Sequence, residues 1–244
     1  MTATIQPIRP LDTPAPTLGS APPSLGSAPP TLNEEAYRRL EEMIVTLELA
    51  PGAVVSEAIL GRKLGIGTTP IREALQRLSR EYLVQVLPRR GVVVTAVDVR
   101  QQLQVLETRR ELDRLLVRAA ARRASDAERA AISDLASAMR QTGGAGDLRG
   151  FLRVDAAMKP AIAAAAHNEV AAAAAIPLHA VSRRFWFFHG HDAKALPVTA
   201  GLHVDVATAV AAADEAGAMA ANDALIAHLV AFARSTIPEL DSPG

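Results

Sequence analysis

No cysteine occurs among the 244 residues, which removes disulfide scaffolds, thiolate metal sites and cysteine nucleophiles at once and suits a reducing cytoplasm. An excess of one charge is missing too. Twenty-six Lys and Arg face 26 Asp and Glu, so the chain as a whole announces no polyanionic partner, and any basic face must be local. No window approaches the roughly 18 uninterrupted apolar residues of a membrane span, and the N-terminus lacks a basic stretch followed by an apolar one. A soluble, unexported, cytoplasmic protein with no membrane partner is therefore expected. Aromatics are few, with one Trp, two Tyr and five Phe. Half of them stand together as Phe185-Trp186-Phe187-Phe188, whose plainer reading is core and inter-helix packing rather than a wall for stacking a ligand.

What is present divides the chain. Residues 1–31 hold half of all the prolines, carry only Arg9 and Asp12 as charges, and repeat LGSAPP at 18–23 and 25–30. Such a segment has little to bury and is expected to be a disordered tail. From Asn33, a candidate N-cap, Ala36, Leu40, Met43, Ile44 and Leu47 recur at helical spacing until Pro51-Gly52 stops the pattern. Ser56 is placed to cap a short helix, Glu57 to Leu64, closed by Gly65. Thr69 is a candidate cap with Pro70 at the first helical position, which predicts a third helix from Pro70 to about Glu81. YLVQVLP and GVVVTAV, separated by Pro88-Arg89-Arg90-Gly91, then read as an antiparallel hairpin with a basic tip. Three helices followed by a hairpin is the order of a winged helix-turn-helix.

Beyond Asp98 no strand signal occurs. A long helix to about Arg123, a capping box Ser125-x-x-Glu128, a break at residues 143–146 and alanine-rich helices at about 147–166, 168–188, 197–213 and 215–235 predict an antiparallel all-α bundle. The expected organisation is a tail (1–31), a winged helix-turn-helix (32–97), an all-α ligand-binding and dimerisation domain (98–236) and a short C-terminal tail (237–244). The fold class is mainly α.

The third helix carries the recognition chemistry. Between Arg62 and Gly91 seven basic residues stand against two acidic ones, a local excess in the only segment with helix-turn-helix punctuation. Side chains in the first turns of such a helix project into a major groove, and backbone N–H groups at its N-terminus face phosphate. Arg72, one turn in, is the leading reader of base or phosphate. Ile71, Ala74, Leu75 and Leu78 follow the core-facing spacing instead. Arg77 is off the face of Arg72 and reads either as solvated or as phosphate-directed, while Arg89 and Arg90 at the hairpin tip, with Gly91, suit an adjacent groove or backbone.

Residues 32–96, above all SEAILGRKLGIGTTPIREALQRLSREYLVQVLPRRGVVV at 56–94, resemble the N-terminal domain of GntR-family transcriptional regulators. The all-α remainder resembles the FadR-type effector domain called FCD. The resemblance implies a ligand-responsive regulator, not an enzyme: a homodimer on double-stranded operator DNA, more often a repressor, released by a small-molecule effector. The family usually carries Ser-Arg-Thr ahead of PIREAL and sets that arginine on DNA. This chain has Gly67-Thr68-Thr69, so specificity is expected to rest on Arg72, Thr68, Thr69 and the hairpin.

FadR-type effector domains often hold a divalent metal on an Asp, a His one turn later, and two further His about 22 residues apart on the last long helices. The matching positions here are Asp155, Lys159, His203 and Leu225, so only half of the set is kept and no metal or other cofactor is expected. His228, one turn after Leu225, would need a shift of register to serve. His167, His189 and His191, the last two in a loop-like FHGHD segment, read as solvated or capping side chains. The resemblance also places Arg109, in Arg109-Arg110-Glu111-Leu112-Asp113, with Asp155, Lys159 and His203 as a candidate pocket. Lys159 there either pairs with Asp155 or receives the carboxylate of an anionic effector. Arg183 and Arg184 either close the pocket or bind solvent. A metal-dependent hydrolase and a ligand-free helical interaction module are the rival readings, the first lacking a nucleophile motif or a complete ligand set.

Overall fold

In the computed structural model, residues 31–87, 91–190 and 195–237 are described. The N-terminal region runs α1 (Leu32–Val45), β1 (Val54–Val55), α2 (Glu57–Leu64), α3 (Thr68–Arg80), β2 (Val84–Leu87) and β3 (Gly91–Val94). The bundle follows as α4 (Val99–Arg123), α5 (Asp126–Gly144), α6 (Leu148–Ala165), α7 (Glu169–His189), α8 (Ala195–Ala211) and α9 (Glu215–Ser235). The tail and the Arg89-Arg90 tip expected from the sequence lie outside the described residues, apart from Thr31 and Ile237 at the two ends.

Several helix ends differ from expectation for local reasons. Thr31 rather than Asn33 caps α1, its hydroxyl accepting from the Glu34 N–H at 3.2 Å, while the Asn33 amide donates to Glu73 at 2.8 Å. The helix stops at Val45, ahead of Leu47 with its φ of 60° and well before Pro51. Gly67, not Thr69, is the N-cap of α3, so Pro70 is its third residue. Proline is tolerated there because the first four N–H groups of a helix have no intrahelical acceptor. Gly65 does adopt the left-handed conformation, φ 67°, and closes α2. The hairpin forms, with Val84 opposite Val94 and Leu87 opposite Gly91. A third strand joins it: β1 pairs with β3, giving an antiparallel order β1-β3-β2. Two residues are too few to show an alternating pattern, so β1 left no signal in the sequence.

In the bundle Asp98 caps α4 and Ser125 with Glu128 forms the expected reciprocal box. α5 runs through Gly143 to Gly144 instead of breaking ahead of them, and His189 is the last residue of α7 rather than part of a loop. α4 packs on α9, α7, α6 and α8, and α5 on α8 and α6. Alanine makes this closeness possible: Ala120, Ala121, Ala165, Ala175 and Ala207 are wholly buried and leave no side chain to hold neighbouring helices apart. α9 is long and apolar enough by length and composition to cross a membrane, yet it packs against α4 and α8, with Asn222 buried and Asp223 paired to Arg114.

The two regions are bolted together by α7. Arg184 is 1 % exposed and donates to the Thr95 hydroxyl at 2.9 Å and to the Thr95 and Ala96 carbonyls at 3.2 Å, on the segment leaving β3. Burial without a carboxylate lowers its pKa to about 10. α1 also packs on α7. Phe185 and Trp186 are buried beside Arg184, with Phe232 edge-on to Phe185 at 6.2 Å, so packing accounts for the aromatic run.

A Cβ at Gly143 would lie 2.3 Å from the Cβ of Ala200 on α8, whereas one at Gly144 would meet nothing within 4 Å. Alanine normally gains helix stability over glycine, so the pair separates propensity from packing. Gly143→Ala is expected to destabilise by about 1–3 kcal/mol and Gly144→Ala to be neutral or stabilising by up to about 1 kcal/mol, read by urea unfolding. A stabilised Gly143→Ala would disprove the close approach of α5 and α8.

Candidate nucleic-acid interface and effector cavity

The first turn of α3 is exposed. Thr68 and Arg72 face solvent along a cleft shared with Glu57 of α2 and with Val86 and Gly91 of the hairpin, and Thr69 is exposed without lining that cleft. Ile71, Ala74, Leu75 and Leu78 are buried on the opposite side, so the core fixes which side chains point out. Gly91 has φ 91°, and a Cβ there would lie 3.2 Å from the Val55 carbonyl. Glycine thus lets the wing strand approach β1. Arg72 reaches back to Glu57, with Nη2 to Oε2 at 2.8 Å and Nε to the same oxygen at 3.0 Å.

Arg77 belongs to another surface. It lies roughly 140° around the helix from Arg72, with its guanidinium carbon 3.5 Å from the Tyr37 ring centroid and ion pairs to Glu81 at 3.1 Å and Glu34 at 3.2 Å. That arrangement ties α3 to α1 and does not bring Arg77 to the exposed turn. Glu81 is itself buried, which pushes its carboxyl up from the usual range, and Tyr37 donates to it at 2.8 Å.

Within the bundle the candidate pocket residues come together only in part. Arg109 on α4, Asp155 on α6, and His203 on α8 line one small cavity, joined by His179 and Arg183 of α7. Arg109 is spent on Asp113, with Nη2 to Oδ2 at 3.0 Å, and the other oxygen of Asp113 meets His179 Nε2 at 2.8 Å. Asp155 pairs with Arg183 at 3.4 Å and lies 3.3 Å from His203 Nδ1, not with Lys159 as the one-turn spacing suggested. Lys159 lies along an adjoining cavity with Asp113 and His179, 6 % exposed and without a salt bridge among the described residues. One turn on a helix brings Cβ atoms close, but here α7 supplies Asp155 with a nearer cation.

Arg183 makes a second ion pair, to Glu41 on α1. It therefore closes the pocket between two carboxylates, and with His179 and Asp113 it is a residue whose role the sequence did not disclose. His179 and Arg183 stand four apart on α7, a same-face spacing that was the available signal. The cavity itself is about 20 Å³, room for one water molecule and not for a metabolite unless its wall moves.

The four positions expected for a metal, Asp155, Lys159, His203 and Leu225, do not assemble a donor set, and among the described residues no group of three or more His, Cys, Asp or Glu could hold a metal ion. Asp155 and His203 meet, but Lys159 brings an ammonium where a ligand is needed and Leu225 is a fully buried hydrocarbon. His228 is taken by the Thr199 hydroxyl at 2.9 Å and does not join them. His167 lies against Glu128 of the capping box, and His191 is outside the described residues.

Comparison with known proteins bears on both regions. A family model described as the FCD domain matches residues 104–229, and one described as bacterial regulatory proteins, gntR family, matches residues 32–94. An uncharacterised HTH-type transcriptional regulator of Streptomyces ambofaciens is 48 % identical over 64 residues, 26 % of this chain and 27 % of that protein. The HTH-type transcriptional repressor RspR of Escherichia coli is 33 % identical over 69 residues, 28 % of this chain and 30 % of that protein. The matches thus span less than a third of these curated relatives. Among solved structures, E. coli McbR/YncC superposes with a TM-score of 0.74 at 20 % identity, covering 86 % of this chain and all of that one. A GntR regulator from Rhodococcus gives a TM-score of 0.64 at 18 % identity, over 84 % of this chain and 99 % of that one.

Acid should loosen the cluster. Burial, helped by Lys159, lowers the His203 pKa to about 3 from its ordinary 6.5, and burial lowers that of His179 as well. The unfolded chain then binds protons that the folded one refuses, so stability is lost as pH falls below about 6.5, for His203 by on the order of 1 kcal/mol per pH unit. Burial alone would raise the Asp155 carboxyl, but the charges of Arg183 and Lys159, joined by that of His203 once it is protonated, outweigh it and hold it at about 2, which adds a further loss below the ordinary 3.8. The thermal midpoint is expected to fall between pH 7 and 5, and to fall less steeply in His203→Gln. Equal slopes would show that His203 is not held neutral.

Proposed function

Because this chain belongs to the FCD-domain family, with a gntR-type region ahead of that domain, we propose that it is a ligand-responsive, DNA-binding transcriptional regulator acting in the cytoplasm. The observation that carries this reading is the exposed start of α3, where Thr68 and Arg72 share a cleft with Gly91 of the hairpin and Thr69 is exposed beside them. N–H groups at that helix end face phosphate, and Arg72 has the reach to donate two hydrogen bonds to a guanine edge in the major groove. Arg89 and Arg90 follow β2 in sequence and would extend the contact to an adjacent groove or backbone. Arg77 contributes by holding α3 on α1.

A homodimer setting two such helices on two half-sites is the arrangement that matches a two-fold operator. The effector of this reading is a small carboxylate, drawn to the bundle by Lys159, which makes no salt bridge among the described residues and lies in a cavity adjoining the one that Arg109, Asp155 and His203 line. Repression relieved by that ligand is the mode proposed, in keeping with the repressor names of two similar E. coli proteins, RspR and GlaR. Coupling between ligand and operator requires only that the ligand favour one placement of the reading helices over another.

Fluorescence anisotropy with DNA from beside the gene tests the reading. Arg72→Ala is expected to lower operator affinity by on the order of tenfold or more, with the folded state unchanged by circular dichroism because the side chain is exposed. Unchanged affinity would remove Arg72 from the interface, and absence of binding to any neighbouring DNA at low salt would overturn the regulator itself.

A further inference from the structure

A groove runs between α1 on one side and α6 with Arg183 of α7 on the other, and it shares no lining residue with the cleft at Thr68 and Arg72. It encloses about 370 Å³, within the roughly 300–1,000 Å³ typical of ligand pockets, where the closed cavity has room for one water. Arg38 of α1 and Arg149 and Arg153 of α6 line it, and none of the three makes a salt bridge among the described residues. Arg183 and Leu152 form the wall it shares with the closed cavity. At that wall Arg183 holds two carboxylates, Asp155 from inside and Glu41 from α1. Four guanidiniums thus face Glu41 and Glu42, a strongly basic recess in a chain whose net charge is zero.

We propose that this groove is a site for a small multivalent oxyanion, a polycarboxylate or a phosphorylated metabolite, whose acidic group replaces Glu41 on Arg183 while its other oxygens meet Arg38, Arg149 and Arg153. Planar guanidiniums bind carboxylate and phosphate oxygens in pairs, and several of them on one recess select for more than one negative group. Glu41 is the occupant that α1 itself provides, and an anion of the same chemistry competes with it. Exchange changes what joins α1 to α7 and so the footing of the reading helices on the bundle. The binding step stands without the regulator reading; only its consequence for operator affinity rests on it.

Citrate and pyrophosphate, each against sodium chloride of matched ionic strength, serve as probes of the full chain, followed by thermal midpoint and by the fluorescence of Trp186, the sole tryptophan, which lines the closed cavity behind Arg183. Saturable binding of at least one probe is expected, and which of the two binds tells carboxylate from phosphate. In Arg38→Gln/Arg153→Gln, both exposed positions, the dissociation constant should rise about tenfold or more. In Glu41→Gln it should fall, because Arg183 is vacated. Arg118→Gln, an exposed arginine of α4 that does not line the groove, should leave it within about twofold. Failure of both probes to saturate would overturn the site, as would full affinity in the double arginine variant or an equal loss in Arg118→Gln. Operator binding measured without any anion remains a separate readout, so a failed groove and a failed regulator reading are told apart.

Discussion

A single guanidinium is shared between two regions of this protein, and much of its architecture answers to that arrangement. Arg183 on α7 sits between Asp155, inside the bundle, and Glu41, on the first helix of the winged region. A buried arginine needs acceptors on every side, because removing one partner leaves the charge with nothing to offset its desolvation. Asp155 stays ionised only because cations outweigh the penalty of its burial. With Lys159 protonated, Arg109, Lys159 and Arg183 are matched by Asp113, Asp155 and Glu41. The third carboxylate comes from α1, so this cluster is balanced by a group that the winged region lends to it.

That sharing gives the fold a physical route between its two faces. Arg184, the next residue, fastens the strand exit at Thr95 and Ala96 to the same helix through uncharged acceptors. One neighbour thus makes a contact that no soluble anion can compete for, and the other makes a contact that an anion can. Rigid attachment at Arg184 and an exchangeable ion pair at Arg183 are what a change in the seating of α1, without separation of the two regions, requires. The close, alanine-lined packing of the bundle leaves little free volume in its core, so a ligand of metabolite size fits more readily in the groove beside α1 than in the closed cavity.

The order of elements was legible from the sequence because it rests on local chemistry. Asp98, Ser125 and Glu128 mark helix starts by hydrogen bonds within three residues, and the core spacing of Ile71, Leu75 and Leu78 marks the buried side of α3. The exposed position of Arg72 follows from the same periodicity. Signals failed where the cause was remote. Gly143 reads as a helix breaker but sits inside α5 because Ala200 comes so close that nothing larger fits. Arg77 reads as a candidate for DNA, yet Tyr37, Glu34 and Glu81 claim it from across the helix pair.

The sequence by itself determined which segments are helical and that strands give way to helices after Val94, since each depends on residue type at short spacing. Only the tertiary structure decided the partnerships of the buried charges: Arg109 with Asp113, His179 with Asp113, and Arg183 with Asp155 and Glu41. An ion pair is chosen by distance and desolvation among side chains that lie up to 142 positions apart in the chain, and no local pattern of residues encodes which helices will meet.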